Sequence, residues 1–364
     1  MFWKKMTISI VLILTLILMP DVANADFTFS KPVNLGEPVN SKAGDFGPCI
    51  SADGLTLYFC SERPGGHGAY DLWVATRPTL NDPWEEPNNL GPVVNSASWD
   101  SAPVISPDGL SLYFSSNRSG NWDIWFTTRA DKDADWEVPV SIGLPVNSPT
   151  PDSPSSISAD GLSLYFDGGR AGGYGWADIW VARRATIDDP WGEPENLGPT
   201  INTEDHDAQA SISSDGLVLF FFCLRPENIG GGDLWYTRRT TTSDPWGPPV
   251  NLGDTVNSSV SENYPCVSAD GRILYFSTEE LPGGIGSYDQ WQVSIDPVVE
   301  LNGDGIVDAV DMCIIVDNWG TDNSLCDIGP MPWGDGIVDV EDLIVLAEHL
   351  FEEIPPAEEA EEVE

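Results

Sequence analysis

The residues best suited to chemistry lie near the C-terminus. In ELNGDGIVDAVD, residues 300–311, oxygen-bearing side chains recur at Glu300, Asn302, Asp304, Asp308 and Asp311, with Gly305 at the sixth place. Alternating oxygen ligands on a tight loop, a glycine at the bend and an acid from the following helix are what calcium requires. An apolar run, MCIIVDNWG, follows and has the character of a helix. A second copy, GDGIVDVEDLIVLAEHLF from Gly334, places Asp335, Gly336, Asp339 and Asp342 in the same relative order. Here Met331 and Trp333 stand where the first and third ligands would be, and Asp327 fills the first place only across a longer loop. One good site and one degenerate site are expected. The competing reading is that the GDG turns only start helices, with aspartates as N-caps. Cys313 and Cys326 bracket the first helix and its linker, which leaves a disulfide between them open.

Upstream, polar residues recur in fivefold columns. The pattern S-x-D-G-x-x-L-[YF]-F begins at Ser51, Ser106, Ser158, Ser213 and Ser268. An asparagine precedes each serine at a fixed distance: Asn40, Asn95, Asn147, Asn202 and Asn257. Nearer to it lies an acid: Asp45, Asp100, Asp152, Asp207 and Glu262. A ring of such carboxylates at a channel mouth could hold a metal ion, sugar hydroxyls or a cationic group. Alternatively each Asn or Asp caps its own turn, and recurrence in every repeat favours that structural role.

Were the chain an enzyme, the acid column and His206 would supply the catalytic candidates. Glycosidic cleavage, however, needs two carboxylates in unlike environments, and copies of one repeat position do not provide that. Residues unique to one repeat make the better ligand-binding set: Trp99, Glu204, His206 and Tyr264. Arg63, Arg118, Arg170 and Arg225 are expected to pair across a Gly-rich loop with Asp71, Asp123, Asp178 and Asp233, and Glu280 breaks the column in the last repeat. The sequence has no nucleophile elbow, P-loop, HExxH or dinucleotide fingerprint.

The elements that must carry these residues follow from the period. Successive repeats start 55, 52, 55 and 55 residues apart, a spacing typical of propellers and solenoids. Each repeat offers a short strand, an Asp-Gly hairpin turn, a β-branched and aromatic strand, a D-[LI]-W strand and a Pro-containing outer segment such as DPWEEPNNLG. Four strands in five copies predict an all-β, five-bladed β-propeller. A small C-terminal α-helical calcium-loop domain follows it. The last repeat stops after its third strand, whereas FTFSKPVNLG from Phe27 aligns with WEEPNNLG from Trp84, placing Phe29 at the tryptophan position. The N-terminal segment is therefore expected to be the outer strand of the last blade and to close the ring.

The first 25 residues have the form of a signal peptide: Lys4 and Lys5, an apolar run over residues 8–19, and Ala23-Asn24-Ala25 as the cleavage site. No later stretch is long and apolar enough to span a membrane after cleavage, so the mature chain, from residue 26, is expected to be secreted or extracellular, or held at the cell surface. The formal charge of −42, from 58 acidic and 16 basic residues, excludes nucleic acid and anionic lipid as partners. Six cysteines in an exported chain permit disulfides without fixing their pairing. Residues 352–364 are an acidic, Pro- and Ala-rich tail.

The S-x-D-G-x-x-L-Y-F turn, the S-x-R-x-G-G-x-G loop and the D-[LI]-W strand resemble the WD-repeat-like propeller repeat of TolB-type proteins, over nearly all of residues 26–297. That resemblance implies binding or scaffolding, with some relatives in polysaccharide processing. The duplicated loop–helix pattern over residues 298–351 resembles a type I dockerin module, which implies calcium binding and a cohesin-type or other surface-protein partner. Together they imply a secreted propeller that binds carbohydrate or a cell-surface partner, delivered to an assembly for polysaccharide use. The runner-up is a glycoside hydrolase or polysaccharide lyase working at the axial mouth.

Overall fold

The structure, a computed structural model, describes residues 27–279, 281–299, 301–302, 305–321, 326–329 and 337–352. The expected leader and nearly all of the tail lie outside them. Each repeat is organised by its hairpin. In the first, Ser51 Oγ donates to Asp53 Oδ1 (2.6 Å), while Asp53 accepts from the Leu55 N–H (3.1 Å) and Ser51 Oγ from the Thr56 N–H (2.9 Å). Gly54 sits at φ +70°, where a side chain would be strained. The same network recurs at Ser106, Ser158, Ser213 and Ser268.

These hairpins generate five antiparallel blades. Blade one comprises Asp45–Ile50, Thr56–Ser61, Asp71–Thr76 and Asn88–Asn89. Blade three comprises Asp152–Ile157, Ser163–Gly168, Asp178–Arg183 and Glu195–Asn196. Blades two and four follow the same order. The fourth strands are only two residues long. Their prolines remove ladder donors, so the expected outer strand is mostly irregular chain.

The last blade is completed from the other end of the chain. Glu262–Val267, Ile273–Thr278 and Asp289–Pro297 are joined by Phe27–Phe29 and Val33–Asn34. Phe27 pairs with Pro297 and Phe29 with Ile295. In blades one to four an arginine after the third strand lies over the outer tryptophan, as Arg77 does over Trp84 at 4.4 Å. Blade five has Ile295 at that arginine position, facing Phe29, so a cation–aromatic pair becomes an apolar one. Phe27 is buried beside Phe220 and Tyr236 of blade four. Asn40 exchanges hydrogen bonds with the backbone of Gln290 (2.8 and 2.9 Å), the contact that Asn95 makes with Leu72 inside blade one.

The propeller axis is packed. Ile50, Ile105, Ile157, Ile212 and Val267, one from each blade, are buried around a void of about 100 Å³ at the hairpin end. Further along, Gly47, Ala102, Pro154, Gln209 and Tyr264 leave about 20 Å³. That holds roughly one water and makes no channel.

The small C-terminal module has its own core, with Val299, Val307, Ile315, Val338 and Leu346 at its centre. Its helices, Ala309–Asp317 and Val340–Glu348, begin with matching capping boxes on Asp308 and Asp339. Cys313 is exposed, Cys326 is buried, and no disulfide joins them.

Candidate ligand-binding cavity

The acid column forms no open ring of carboxylates. Asp45, Asp100, Asp152, Asp207 and Glu262 are all fully buried. The first four are each clamped by the arginine of their own blade: Arg63–Asp45 at 2.6 Å, Arg118–Asp100 and Arg170–Asp152 at 2.5 Å, and Arg225–Asp207 at 3.3 Å. Their second oxygens accept backbone N–H groups from Ser41, Ser96, Ser148 and Thr203, each at 2.6 Å. The arginines also donate to a backbone carbonyl, as Arg118 does to Val94 O, and pack against a phenylalanine and a tryptophan. As catalytic or metal-binding candidates these acids are corrected to structural clips.

The arginine pairing is corrected too. Asp71 accepts from the His67 and Gly68 N–H groups at 2.5 and 2.8 Å, and Asp178, Asp233 and Asp289 are held likewise. The Gly-rich loop folds so tightly that a Cβ on Gly68 would lie 2.0 Å from Ser98 O. Its own amides therefore satisfy the third-strand aspartate, which leaves the arginine for the first-strand acid. Asp123, in a loop with a single glycine, takes Ser119 Oγ and Asn121 Nδ2 instead. The asparagine column closes blade edges through backbone contacts and is structural.

Glu262 is the exception in its column. Glu280 stands in the arginine's place, outside the described residues. Burial raises the Glu262 carboxyl to about 7, although Ser258 hydrogen bonds pull it down.

Asymmetry enters at the first-strand bulges. In four blades the bulge residue is left-handed: Gly47, Ala102, Gln209 and Tyr264, at φ 67°, 49°, 57° and 53°. For the three non-glycines this costs on the order of 1–2 kcal/mol each. The bulge N–H reaches the preceding blade: Gly47 to Ser277 Oγ (3.0 Å), Gln209 to Asp167 Oδ1 (3.1 Å), and Tyr264 to Gln209 Oε1 (2.8 Å). Blade three has Pro154, which brings no N–H.

Asp167 is the penultimate residue of the second strand of blade three, where the other blades carry Cys60, Ser115, Phe222 and Ser277. It is the only acid at this place in the repeat. Ser155 Oγ donates to it at 2.9 Å. Burial, with a contribution from Asp152, raises its carboxyl to about 6. The hydrogen bonds from Gln209 and Ser155 and the nearby His206 act in the opposite direction.

Asp167 lines a cavity of about 550 Å³ at the loop end of the propeller. Trp122 of blade two, Trp176 of blade three, His206 and Gln209 of blade four and Tyr264 of blade five share the lining. Trp176 is 87% exposed. His206 packs edge-on to Phe222 at 5.7 Å. Of the four residues expected to bind ligand, His206 and Tyr264 are therefore brought together. Trp99 lies outside the lining, 6.1 Å from Trp122 and 4.8 Å from Tyr70, in an aromatic arc that supports the wall. Glu204 is exposed and outside the cavity. Sequence reasoning missed Asp167, Trp122, Trp176 and Gln209. Comparing the residue after each L-[YF]-F across repeats would have exposed Asp167.

In the C-terminal module, Asp311 and Asp342 are fully buried. Asp311 accepts from the Asp308 and Leu301 N–H groups at 2.8 and 2.7 Å. Asp342 accepts from Asp339, Ile328 and Gly329. Leu301 follows Glu300 and Ile328 follows Asp327, so the two loops share a scheme and Asp327 takes the place of Glu300. The described candidate ligands, Asn302, Asp308, Asp311, Asp327, Asp339 and Asp342, are all oxygen donors and suit calcium rather than a softer metal. Among the described residues no three acidic, His or Cys side chains converge as a metal site. Glu300, Asp304 and Asp335 lie outside those residues.

Among the described residues no helix is long and apolar enough to cross a membrane. No protein-family profile and no curated protein matches the sequence. Solved structures of similar fold include TolB from Acinetobacter baumannii, at 15% identity and TM-score 0.46, where the match covers 74% of this chain and 63% of TolB. A family 117 glycoside hydrolase from Zobellia galactanivorans aligns at 11% identity and TM-score 0.49, over 74% of this chain and 90% of the hydrolase. An α-L-arabinofuranosidase from Lactobacillus brevis aligns at 13% and 0.46, over 72% and 92%. Likenesses of this size carry nothing about what the chain binds or converts; the five-bladed propeller rests on the chain's own strand pairing.

Proposed function

We propose that the chain is a secreted propeller that binds carbohydrate in the cavity at its loop end. The observation that carries this reading is asymmetry. Four of the five repeated carboxylates are neutralised by arginines, while one cavity gathers Trp122, Trp176 and Tyr264 around Asp167 and His206. Aromatic faces with a few convergent polar groups suit a sugar ring and its hydroxyls. Asp152 also lines the cavity, but both of its oxygens are already committed to Arg170 and Ser148. Asp167 thus has no second free carboxylate beside it in the lining, which favours binding over two-carboxylate hydrolysis. The test is a glycan-array screen of the purified protein, followed by calorimetry and reducing-sugar release on the hits. Trp122→Ala and Asp167→Asn should each weaken binding roughly tenfold, the loss of about 1.4 kcal/mol, with little change in melting temperature. Native affinity should fall as the pH drops through about 6, where Asp167 takes up its proton. If both variants bind the hits normally, the site is elsewhere.

In the same proposal the C-terminal module is the address. Calcium would be held by Glu300, Asn302, Asp304, Asp308 and Asp311, with Asp327, Asp335, Asp339 and Asp342 as the second set, and a cohesin-type domain is the partner class. Calcium supplies the positive charge that lets clustered carboxylates share a loop, and binding only the folded form stabilises it. Chelation should raise the protease sensitivity of residues 301–352 and leave the propeller intact. Asp304→Ala should do the same with calcium present. Identical proteolysis with and without chelator would remove calcium from this reading.

A further inference from the structure

We propose that Cys49 and Cys266 form a disulfide that seals the propeller ring by joining the innermost strands of blades one and five. The two residues occupy the same repeat position, two before the hairpin serine, where the other blades carry Val104, Ser156 and Ser211. Polar side chains in this column reach across to the next blade. Ser156 Oγ accepts from the Ile212 N–H (3.2 Å), and Ser211 Oγ accepts from the Val267 N–H (3.0 Å). Cys266 Sγ accepts from the Ile50 N–H (3.4 Å), and Cys49 Sγ from the Ile105 N–H (3.3 Å). The sulfur of Cys266 therefore rests against the residue bonded to Cys49, and the influence of each neighbouring thiol on the other raises the pKa of Cys49 and lowers that of Cys266. Around the ring, only the contact between blades five and one has sulfur on both sides. Blade five is also the one blade assembled from both ends of the chain, its first three strands from residues 262–297 and its outer strands from residues 27–34.

Their surroundings set the order of reaction. Cys266 is half-buried and Cys49 is buried. The Cys266 thiolate attacks a small external disulfide, forming a mixed disulfide and releasing one thiolate. Cys49 then passes its proton to a departing thiolate and attacks the Cys266 sulfur, which expels the second. One S–S bond forms in the protein and one external disulfide is reduced to two thiols, so electrons and protons balance. The bond would close a loop of roughly 220 residues, a length at which unfolded-state entropy gives a large stabilisation.

The test uses the full chain, purified under reducing conditions and then incubated with oxidised glutathione. The expected product has lost the mass of two hydrogens, and proteolysis yields a peptide pair joined through Cys49 and Cys266. Two fewer of the six cysteines react with maleimide in denaturant, and the melting temperature rises by roughly 5–15 °C. Dithiothreitol should reverse each change. Cys49→Ser and Cys266→Ser should fold, since serine fills this position in blades three and four, but show no rise. The proposal is overturned if all six thiols still titrate, if the mapped link joins another pair, or if the single variants gain the same stability. None of these readouts depends on carbohydrate binding.

Discussion

Phe27→Ala will lower the melting temperature of the propeller by roughly 10 °C, and a chain lacking residues 27–35 will lose more. Phe27 is one of the largest fully buried side chains and touches Phe220 and Tyr236 in the largest core cluster. Truncating such a phenylalanine costs about 3–5 kcal/mol. At the unfolding entropy of a domain this size, that is a shift of several degrees per two kcal/mol. The deletion also strips Asp289–Pro297 of its outer partners and leaves an edge that invites pairing between molecules. Scanning calorimetry and light scattering check both points. An unchanged melting temperature in the truncated chain would mean that the ring does not rely on its N-terminal strands.

Arg118→Met should be comparably damaging, and its effect should depend on pH. It leaves Asp100 buried and unpaired, a change that typically costs 3–5 kcal/mol. Blade five shows the outcome in the native chain: Glu262 has no arginine and its carboxyl is raised from 4.5 to about 7. A raised carboxyl adds stability that is complete below the unfolded value and is lost as pH rises through the folded one. For Glu262 the window is pH 4.5 to about 7, and the amount is about 3 kcal/mol. Arg118→Met should create a second such group, so its deficit will be smaller at pH 5 than at pH 8. Glu262→Gln should do the reverse, flattening the pH profile and melting above the native protein at pH 8. Parallel melts of the three proteins decide it; a deficit in Arg118→Met that is equal at both pH values would rule out an unpaired Asp100 as the cause.

The blades were legible because the hairpin is a local device: Ser51, Asp53 and Gly54 specify the turn within four residues, and the period repeats it. Closure was legible because Phe29 aligns with Trp84, although the matching exchange of arginine for Ile295 becomes meaningful only once the strands pair. Arginine pairing was not legible. Arg63 is closer in sequence to Asp71 than to Asp45, and nothing in the sequence says that loop amides will satisfy Asp71. Asp167 escaped for a different reason. The columns drew attention to acids shared by every repeat, whereas this site uses an acid that one repeat has and the others lack. The cavity itself draws on bulges whose left-handed residues, Gln209 and Tyr264, are not ones that sequence would place there.

The aliphatic plug at the hairpin end has a consequence for polymers. Ile50, Ile105, Ile157, Ile212 and Val267 close the axis, so whatever enters at the loop end must leave the same way. A polysaccharide cannot thread through; under the carbohydrate reading a terminus, a side branch or a mid-chain segment laid across the mouth must approach and leave by the same open face. Titration of cut and uncut samples of one linear polymer tells these apart: capacity per mass rises with cleavage if ends are recognised and stays equal if the recognised unit lies in mid-chain.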